Sequence, residues 1–470
     1  MKRIAVVTDF YSIDPAYSLV GVAGNQIKML LRAGYKPKVL VDEYLNEKEV
    51  PYPWNAVPLF KLPSIPRSNR VELPEGWQGH LGRMTEAMRE GLKDIDVALS
   101  HDLIYQPAQI LYNMAAREVT RERNGSLTWL HLIHSATTPA LLNVTDEYLT
   151  SVKRPFPHSF IIFPNEYSRA RVARNFGCSE DEVKFVPHAT DFPEFMGFLE
   201  ITRKLVDAKG MLDADVIIVY PARLDRGKQV EFPIRIAAQI KRLGRSVRFI
   251  CCDFHSTGGD KVTYREDLKK IAQNLGLDEL EVTFTSEFCP WSQEEFKWAE
   301  EIVLKQKASD VQLPDLPKAQ QILNQKQPLQ VRCPSEMVRD LYCLSNVFIL
   351  PSRSETYSLV AQEAALCGNI VVLNFDFPPL RGVYGEDPFY FKFSSNIDAM
   401  TGFDGDTNVE YHPNVDAYCR DIAVRLLGEL LTNRVVHLKT FLRKERNVDA
   451  VFRKYLEPLI YAVSEQRTLG

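Results

Sequence analysis

The feature that most constrains this chain is a repeated alternation. Short β-branched apolar runs are separated by longer segments whose apolar residues recur every three to four positions. The first round opens with RIAVVTDF (3–10), passes through a loop into GVAGNQIKMLLRAG (21–34), and returns in PKVLVDE (37–43). Ile27, Leu30 and Leu31 share one helical face, and Gly34 supplies a C-terminal stop. A strand–helix–strand order of this kind predicts a parallel sheet with helices on its faces. Further strands are expected at 96–101, 127–134, 160–164 and 183–188. Residues 51–78 carry six prolines, at 51, 53, 58, 63, 66 and 74, and read as an irregular surface excursion.

The alternation then starts again. After a helical or linker-like stretch at 196–214 come VIIVYPARL (216–224), a helix over 231–244, and VRFICCDF (247–254). A helix near 265–276, then EVTFTSE (281–287), NVFILPS (346–352), a short helix and NIVVLNF (369–375) complete the round. The span 289–332 interrupts it as an insertion, helical at EEFKWAEEIVLKQ and otherwise polar, and the last fifty residues are strongly helical. The expected fold class is α/β with two Rossmann-like doubly wound domains facing across a cleft. Residues 1–200 form an N-terminal domain on the acceptor side and 201–445 a C-terminal, nucleotide-binding domain. A final helix within 446–470 packs back on the first. Ligands of such sheets bind outside the carboxyl ends of the strands.

Composition narrows the classes of function. With 470 residues, 45% hydrophobic and 25% charged, the chain has material for two or three domains of roughly 100–200 residues each. A net charge of −4 argues against a nucleic-acid coat or a strongly basic membrane-surface protein. The N-terminal apolar run is too short for a signal-peptide core, and no run approaches the ~18 residues of a membrane span, so a soluble cytoplasmic protein is expected. The eight cysteines include no C-x-x-C pair and read as reduced structural thiols rather than a metal site.

Two stretches of the second half carry chemistry. Directly after the strand VIIVY comes PARLDRGKQVE, with Arg223 and Lys228 in the loop before a helix. Paired cations beside helix N-termini suit a diphosphate, whereas lone surface cations would only cap the helix. The second stretch is PSRSETYSLVAQEAALCG (351–368). It places Ser352 at a strand end, Thr356, Tyr357 and Ser358 where backbone N–H groups open a helix, and Glu355 at the turn. Glu363 lies eight residues further on, which is about 12 Å along the axis and about 80° around it if the helix is continuous. A glycosidase dyad needs carboxyls ~5 Å apart, or ~6.5–9.5 Å if inverting, so two separate hydroxyl-bearing groups flanking a diphosphate fit better. Its apolar neighbours argue against a merely exposed Glu363.

These two stretches, in spacing, order and strand context, resemble the retaining GT-B glycosyltransferases of glycosyltransferase family four. That family carries Arg, four residues, Lys after the first strand of its second domain, then P-S-x-x-E and E-A-x-x-x-G. The resemblance is specific over 216–231 and 335–375. It implies that Arg223 and Lys228 hold the donor diphosphate and stabilise the leaving group, that Glu363 holds the ribose and that Glu355 holds the transferred sugar. The donor would be a nucleotide-diphosphate sugar, UDP- or GDP-linked, with no metal or other cofactor required; no D-x-D motif stands in a suitable strand context. Retaining transfer would let the leaving phosphate accept the proton, so no protein nucleophile is needed.

The resemblance also implies roles in the first half. A glycine loop over the donor phosphates would correspond to Gly21 and Gly24, which here are not adjacent. His134, ending a strand, would lie near the transferred sugar. His131 points to the opposite face, His101 with Asp102 is a weaker acceptor-side candidate, and His188 and Asp191 stand where the family has Asn-Gly-Val-Asp, so any role there is in doubt. The acceptor is left open between a saccharide, a lipid, a small molecule and modified nucleic acid such as a hydroxylated DNA base. Peripheral membrane contact through EAMREGLKDI and VTRERNG competes with a plain solvated face. Oligomeric state is unknown. A sugar-nucleotide epimerase or phosphorylase of GT-B type and a non-catalytic sugar-nucleotide-binding protein are the alternatives.

Overall fold

The computed structural model of the chain describes residues 1–66, 73–134, 154–155, 157–254, 261–308, 312–324, 333–353, 355, 357–393 and 414–465. Two compact units result. One comprises Met1–Asp191 with Glu445–Gly470, the other Phe192–Lys444.

The first unit is built on a parallel sheet of β1 (Ile4–Val7), β2 (Lys38–Asp42), β3 (Leu59–Leu62), β4 (Val97–His101), β5 (Thr128–Leu132), β6 (Ser159–Phe163) and β7 (Val183–Phe185). Their order is β3-β2-β1-β4-β5-β6-β7. Helices α1 (Ser18–Arg32), α2 (Trp77–Gly91), α3 (Ile110–Glu122) and α4 (Arg169–Phe176) connect them. Separate apolar cores cover the two faces. One joins Val6, Ile27 and Val39 to Val448, Phe452, Leu456 and Ile460, and the other centres on Met84, Tyr112, Trp129 and Ile161. The C-terminal helical run, 448–465, therefore belongs to this unit. Tyr35 anchors it, stacking edge-on against Phe452 and bonding the Tyr461 hydroxyl at 3.0 Å.

The second unit repeats the plan. After α5 (Glu200–Ala208) come β8 (Val216–Arg223), α6 (Glu231–Arg242), β9 (Val247–Phe254), α7 (Lys261–Asn274) and β10 (Val282–Phe284). Helices α8 (Gln293–Lys307), α9 (Leu316–Asn324) and α10 (Ser335–Leu344) precede β11 (Val347–Leu350). Then follow α11 (Leu359–Leu366), β12 (Ile370–Asn374), α12 (Pro378–Tyr384), β13 (Phe389–Phe391), α13 (Val415–Thr432) and α14 (Arg434–Glu445). The parallel order is β10-β9-β8-β11-β12-β13. Both sheets thus reverse direction beside their first strand, as expected of doubly wound α/β units. Strand β8 is buried along its whole length except Arg223, which explains its uninterrupted apolar run.

Several local expectations need correction. The proline-rich excursion contains β3, an edge strand registered against β2 from Val39↔Leu59 to Asp42↔Leu62. Its LFKL pattern is too short for periodicity to separate it from loop. Strand β13 is missed for the same reason. Helix α1 begins at Ser18, so Gly21 and Gly24 lie inside a helix rather than in a loop. Helix α11 begins only at Leu359, because Ser358 takes a left-handed conformation (φ 66°), so Glu355 and Glu363 do not share a continuous helix. The described part of the insertion is a pair of helices, α8 and α9, with a small core of Trp291, Phe296, Ala299, Ala319 and Ile322. It is tied to α5 by Lys204, whose ammonium lies 2.5 Å from Glu295 and 3.9 Å from the centre of the Trp291 ring.

Arg443, at the end of α14, is 1% exposed. It donates to the carbonyls of Met211, Leu212 and Ala214 at 2.8, 2.8 and 2.7 Å, closing the turn that feeds β8. Burial pulls its pKa down to about 10. Arg443→Ala removes the guanidinium donors from three buried carbonyls, of which that of Met211 keeps the Ala214 N–H, so a loss of roughly 3–5 kcal/mol in the second unit is expected. A urea titration following that unit's transition checks it.

Candidate functional site

Strand β8 pairs with β9 through Arg223, but with β11 only at Ile218↔Val347 and Val219↔Phe348. Beyond those pairs the neighbours part, and the loops that follow them fill the opening. Gly227 accepts from the Arg353 N–H at 3.0 Å. Gln229, fully buried with φ 50°, donates its amide to the Pro351 carbonyl at 2.5 Å. Asn374 at the end of β12 donates to the Ser352 carbonyl at 3.2 Å. Two non-glycine residues in the left-handed region, Gln229 and Ser358, stand one on each loop. Such conformations cost on the order of 1 kcal/mol or more and tend to persist at functional sites.

Lys228 lies at the centre of this arrangement. Its Nζ is 2.6 Å from Glu355 Oε1 and 3.4 Å from Ser352 Oγ. The two charged side chains are only 16% and 17% exposed. Tyr220, in the floor, donates its hydroxyl to the Lys228 carbonyl at 3.1 Å. Burial, reinforced by the nearby Glu355 carboxylate, pushes that phenol well above its usual range, so it stays a donor. Arg223 is half exposed, and its nearest acidic partner is Asp225 at 3.9 Å. The structure therefore brings Lys228, Ser352 and Glu355 into direct contact, with Arg223 on the adjoining strand end. The motif resemblance assigns Lys228 and Glu355 to different parts of a ligand, and their ion pair comes from the fold alone.

The remaining residues of that stretch divide. Tyr357 is exposed, whereas Ser358 is buried with its hydroxyl unpartnered and its carbonyl accepting from Tyr384 at 2.6 Å. Thr356 lies outside the described residues. Glu363 is exposed on α11, whose buried contacts are Ala361 and Ala364, so the argument from its apolar neighbours fails. Those alanines face the sheet and leave the glutamate on the other side. Arg353 was overlooked. Its backbone is pinned to Gly227, and its Nε is buried without a partner.

In the first unit the strand ends gather histidines. His101, closing β4, is 1% exposed, and its Nδ1 lies 3.1 Å from Nε2 of His134. Their rings stack at 5.3 Å and 6°, and His134 stacks on His188 at 5.0 Å and 25°. His134 sits two residues beyond β5, and its N–H reaches Asp102 Oδ1 at 3.4 Å. His131 is buried on the opposite face beside Ser100 at 2.8 Å, as its alternation requires. Asp191 is held by Arg32 at 2.7 Å, a tie at the end of the unit. Gly24 packs against Trp54 and Pro53, where an added Cβ would meet Trp54 Nε1 at 3.4 Å, while Gly21 is exposed. Close helix packing accounts for Gly24 without a ligand.

Of the basic side chains suggested for a membrane-facing surface, Lys93 and Arg121 are exposed, while Arg89 and Arg123 have partners within the unit. Arg89 pairs with Glu122 and Glu86, and Arg123 donates to the carbonyls of Leu92, Lys93 and Ile95. Among the described residues no helix is long and apolar enough to cross a membrane. Also among them, no group of three or more His, Cys, Asp or Glu side chains is placed to hold a metal ion.

No protein-family model and no curated protein matches the chain. Solved structures do. A glycosyltransferase from Rickettsia africae is 12% identical, with 99% of each chain covered and a TM-score of 0.34. HepE of Anabaena in complex with UDP-glucose is 12% identical over 100% of both chains, at 0.31. A UDP-forming trehalose-phosphate synthase from Burkholderia xenovorans is 13% identical over 99% of this chain and 100% of its own, at 0.35. At these scores the similarity carries no functional weight.

Burial holds the His101 imidazole well below its ordinary range and brings His134 down to about 3. In the unfolded chain both titrate near 6.5. Between those values the unfolded state binds more protons, so the stability of the first unit should fall as pH drops below about 6.5. Each group should contribute up to ~1.4 kcal/mol per pH unit. Thermal melts from pH 7.5 to 5.0 should show that fall, and His101→Gln with His134→Gln should reduce its slope, the remainder coming from His131 and His188, which burial also lowers.

Proposed function

We propose that this chain is a GT-B-type glycosyltransferase that moves a sugar from a nucleotide-diphosphate donor, UDP- or GDP-linked, to an acceptor hydroxyl with retention at the anomeric carbon. The observation that carries the reading is the cluster of Lys228, Ser352 and Glu355 at the reversal point between β8 and β11, with Arg223 beside it. Doubly wound sheets take ligands at that point, and a diphosphate needs the fixed cations found there.

Under this reading Arg223 supplies a fork of donors to the diphosphate. Lys228, with three N–H donors, keeps Glu355 as one partner and turns another toward a phosphate oxygen. As the glycosidic bond breaks, charge grows on the departing phosphate, and cations already in place stabilise it without reorganising. Glu355, oriented by Lys228, accepts from hydroxyls of the transferred sugar. Ser352, Tyr357, Ser358 and Thr356 line the donor segment, and exposed Glu363 takes the ribose hydroxyls. His134 serves the sugar from the first unit, and Gly21, exposed on α1, supplies an open surface there. The transfer requires neither metal nor protein nucleophile, and the protein acts in the cytoplasm.

Glu355→Ala should abolish transfer yet leave nucleotide affinity within about threefold, whereas Lys228→Ala should weaken nucleoside-diphosphate binding at least tenfold. Calorimetric titration with UDP and GDP, paired with donor-hydrolysis assays over a panel of nucleotide sugars, measures both. Transfer persisting in Glu355→Ala would overturn the role given to that carboxylate, and a panel with no binding would overturn the donor class.

A further inference from the structure

Two cysteines at the ends of neighbouring helices have their sulfurs close together. Cys343 lies in the last turn of α10 and Cys367 directly follows α11, and their Sγ atoms are 3.9 Å apart. Their separation is held from outside the pair. Asn369 donates to the Tyr342 carbonyl of α10 at 2.9 Å and to the Ala364 carbonyl of α11 at 3.0 Å, while the Ser345 hydroxyl donates to its amide oxygen at 2.6 Å. Lys439 of α14 adds a contact from its ammonium to the Ser345 carbonyl at 3.0 Å and to the Cys367 carbonyl at 3.5 Å. The two helix ends are thus locked in register with both thiols partly exposed.

A disulfide requires sulfurs at about 2.05 Å, so closure needs a movement of about 2 Å, within reach of side-chain rotation. We propose that Cys343 and Cys367 form a reversible disulfide that cinches the loop bearing Ser352, Glu355 and Ser358. That loop, about 25 residues long, includes β11 and the whole candidate site segment, so the bond would restrict its freedom without touching Lys228 or Glu355. The chemistry balances with a low-molecular-weight disulfide as oxidant. One thiolate attacks it, releasing a small thiolate and leaving a mixed disulfide. The second protein thiolate displaces the other half. Two protein thiols lose two protons and two electrons, and the oxidant becomes two small thiols. Burial raises the Cys367 thiol to about 11, so the reaction should quicken with rising pH. Cys252, whose thiol pKa is raised by neighbouring Cys333 and by burial, is fully buried in β9.

The test treats the whole protein with oxidised glutathione at pH 8.5 and maps tryptic peptides without reduction. Cleavage after Arg339, Arg353 and Arg381 places the two thiols on separate peptides, 340–353 and 354–381. The expected result is those peptides joined, a rise of several degrees in the melting temperature of the second unit, and loss of both on adding dithiothreitol. Cys343→Ser and Cys367→Ser should each abolish the rise, and Cys252→Ser should keep it. Glutathionylation of exposed Cys289 with 340–353 and 354–381 unlinked, or linkage through Cys252 and Cys333 instead, would overturn the proposal. Nucleotide binding is not part of this readout, so its failure and that of the proposed activity are distinguishable.

Discussion

The constraint on which this molecule depends is the reversal of strand order beside the first strand of each sheet. At such a reversal the connections on the two sides of the strand lead away to opposite sides, which leaves an opening at its carboxyl end. In the second unit β8 holds β9 through Arg223 but gives up β11 after Val219. The loops leaving β8 and β11 must then satisfy each other, and they do so through Gly227, Gln229, Pro351 and Arg353. With right-handed crossovers, a reversal of strand order sends the flanking connections to opposite faces of the sheet, so an opening lined by two loops and two helix starts is a consequence of topology before any ligand is considered.

The ion pair of Lys228 and Glu355 sits in that opening. Mostly removed from water, each charge would be costly alone, so each fixes the other and thereby fixes the two loops. The pair also orients an acceptor carboxylate and a cation with donors to spare. A site built this way is organised before a ligand arrives, which is the property transition-state electrostatics require. The left-handed Gln229 and Ser358 are part of the same arrangement, since their conformations let two chains turn sharply into helices while their carbonyls and amides stay paired.

The first unit uses its strand ends differently. Burial lowers the pKa values of the stacked His101, His134 and His188 rings, so near neutral pH they form an uncharged polar stack. The C-terminal run completes one face of that unit, so residues at opposite ends of the chain share a core around Ile27, Phe452 and Leu456. Within the same unit Thr190 bridges Asn447, beside Asp191 with its bond to Arg32.

Periodicity and turn chemistry made both α/β rounds, the insertion and nearly every strand legible, because buried parallel strands write continuous apolar runs. Strands of three or four residues such as Leu59–Leu62 and Phe389–Phe391 were not, since their identity comes from the neighbour they pair with. Motif spacing located Arg223, Lys228, Ser352 and Glu355 at strand ends, but spacing along a chain has no direction in space. Only the fold brought the Lys228 ammonium to 2.6 Å from Glu355, delayed the start of the helix until after Ser358 and turned Glu363 outward. By itself the sequence determined two parallel α/β units and the residue types at their strand ends. Tertiary structure decided which of those residues touch, since contacts across a sheet reversal depend on where each ladder stops.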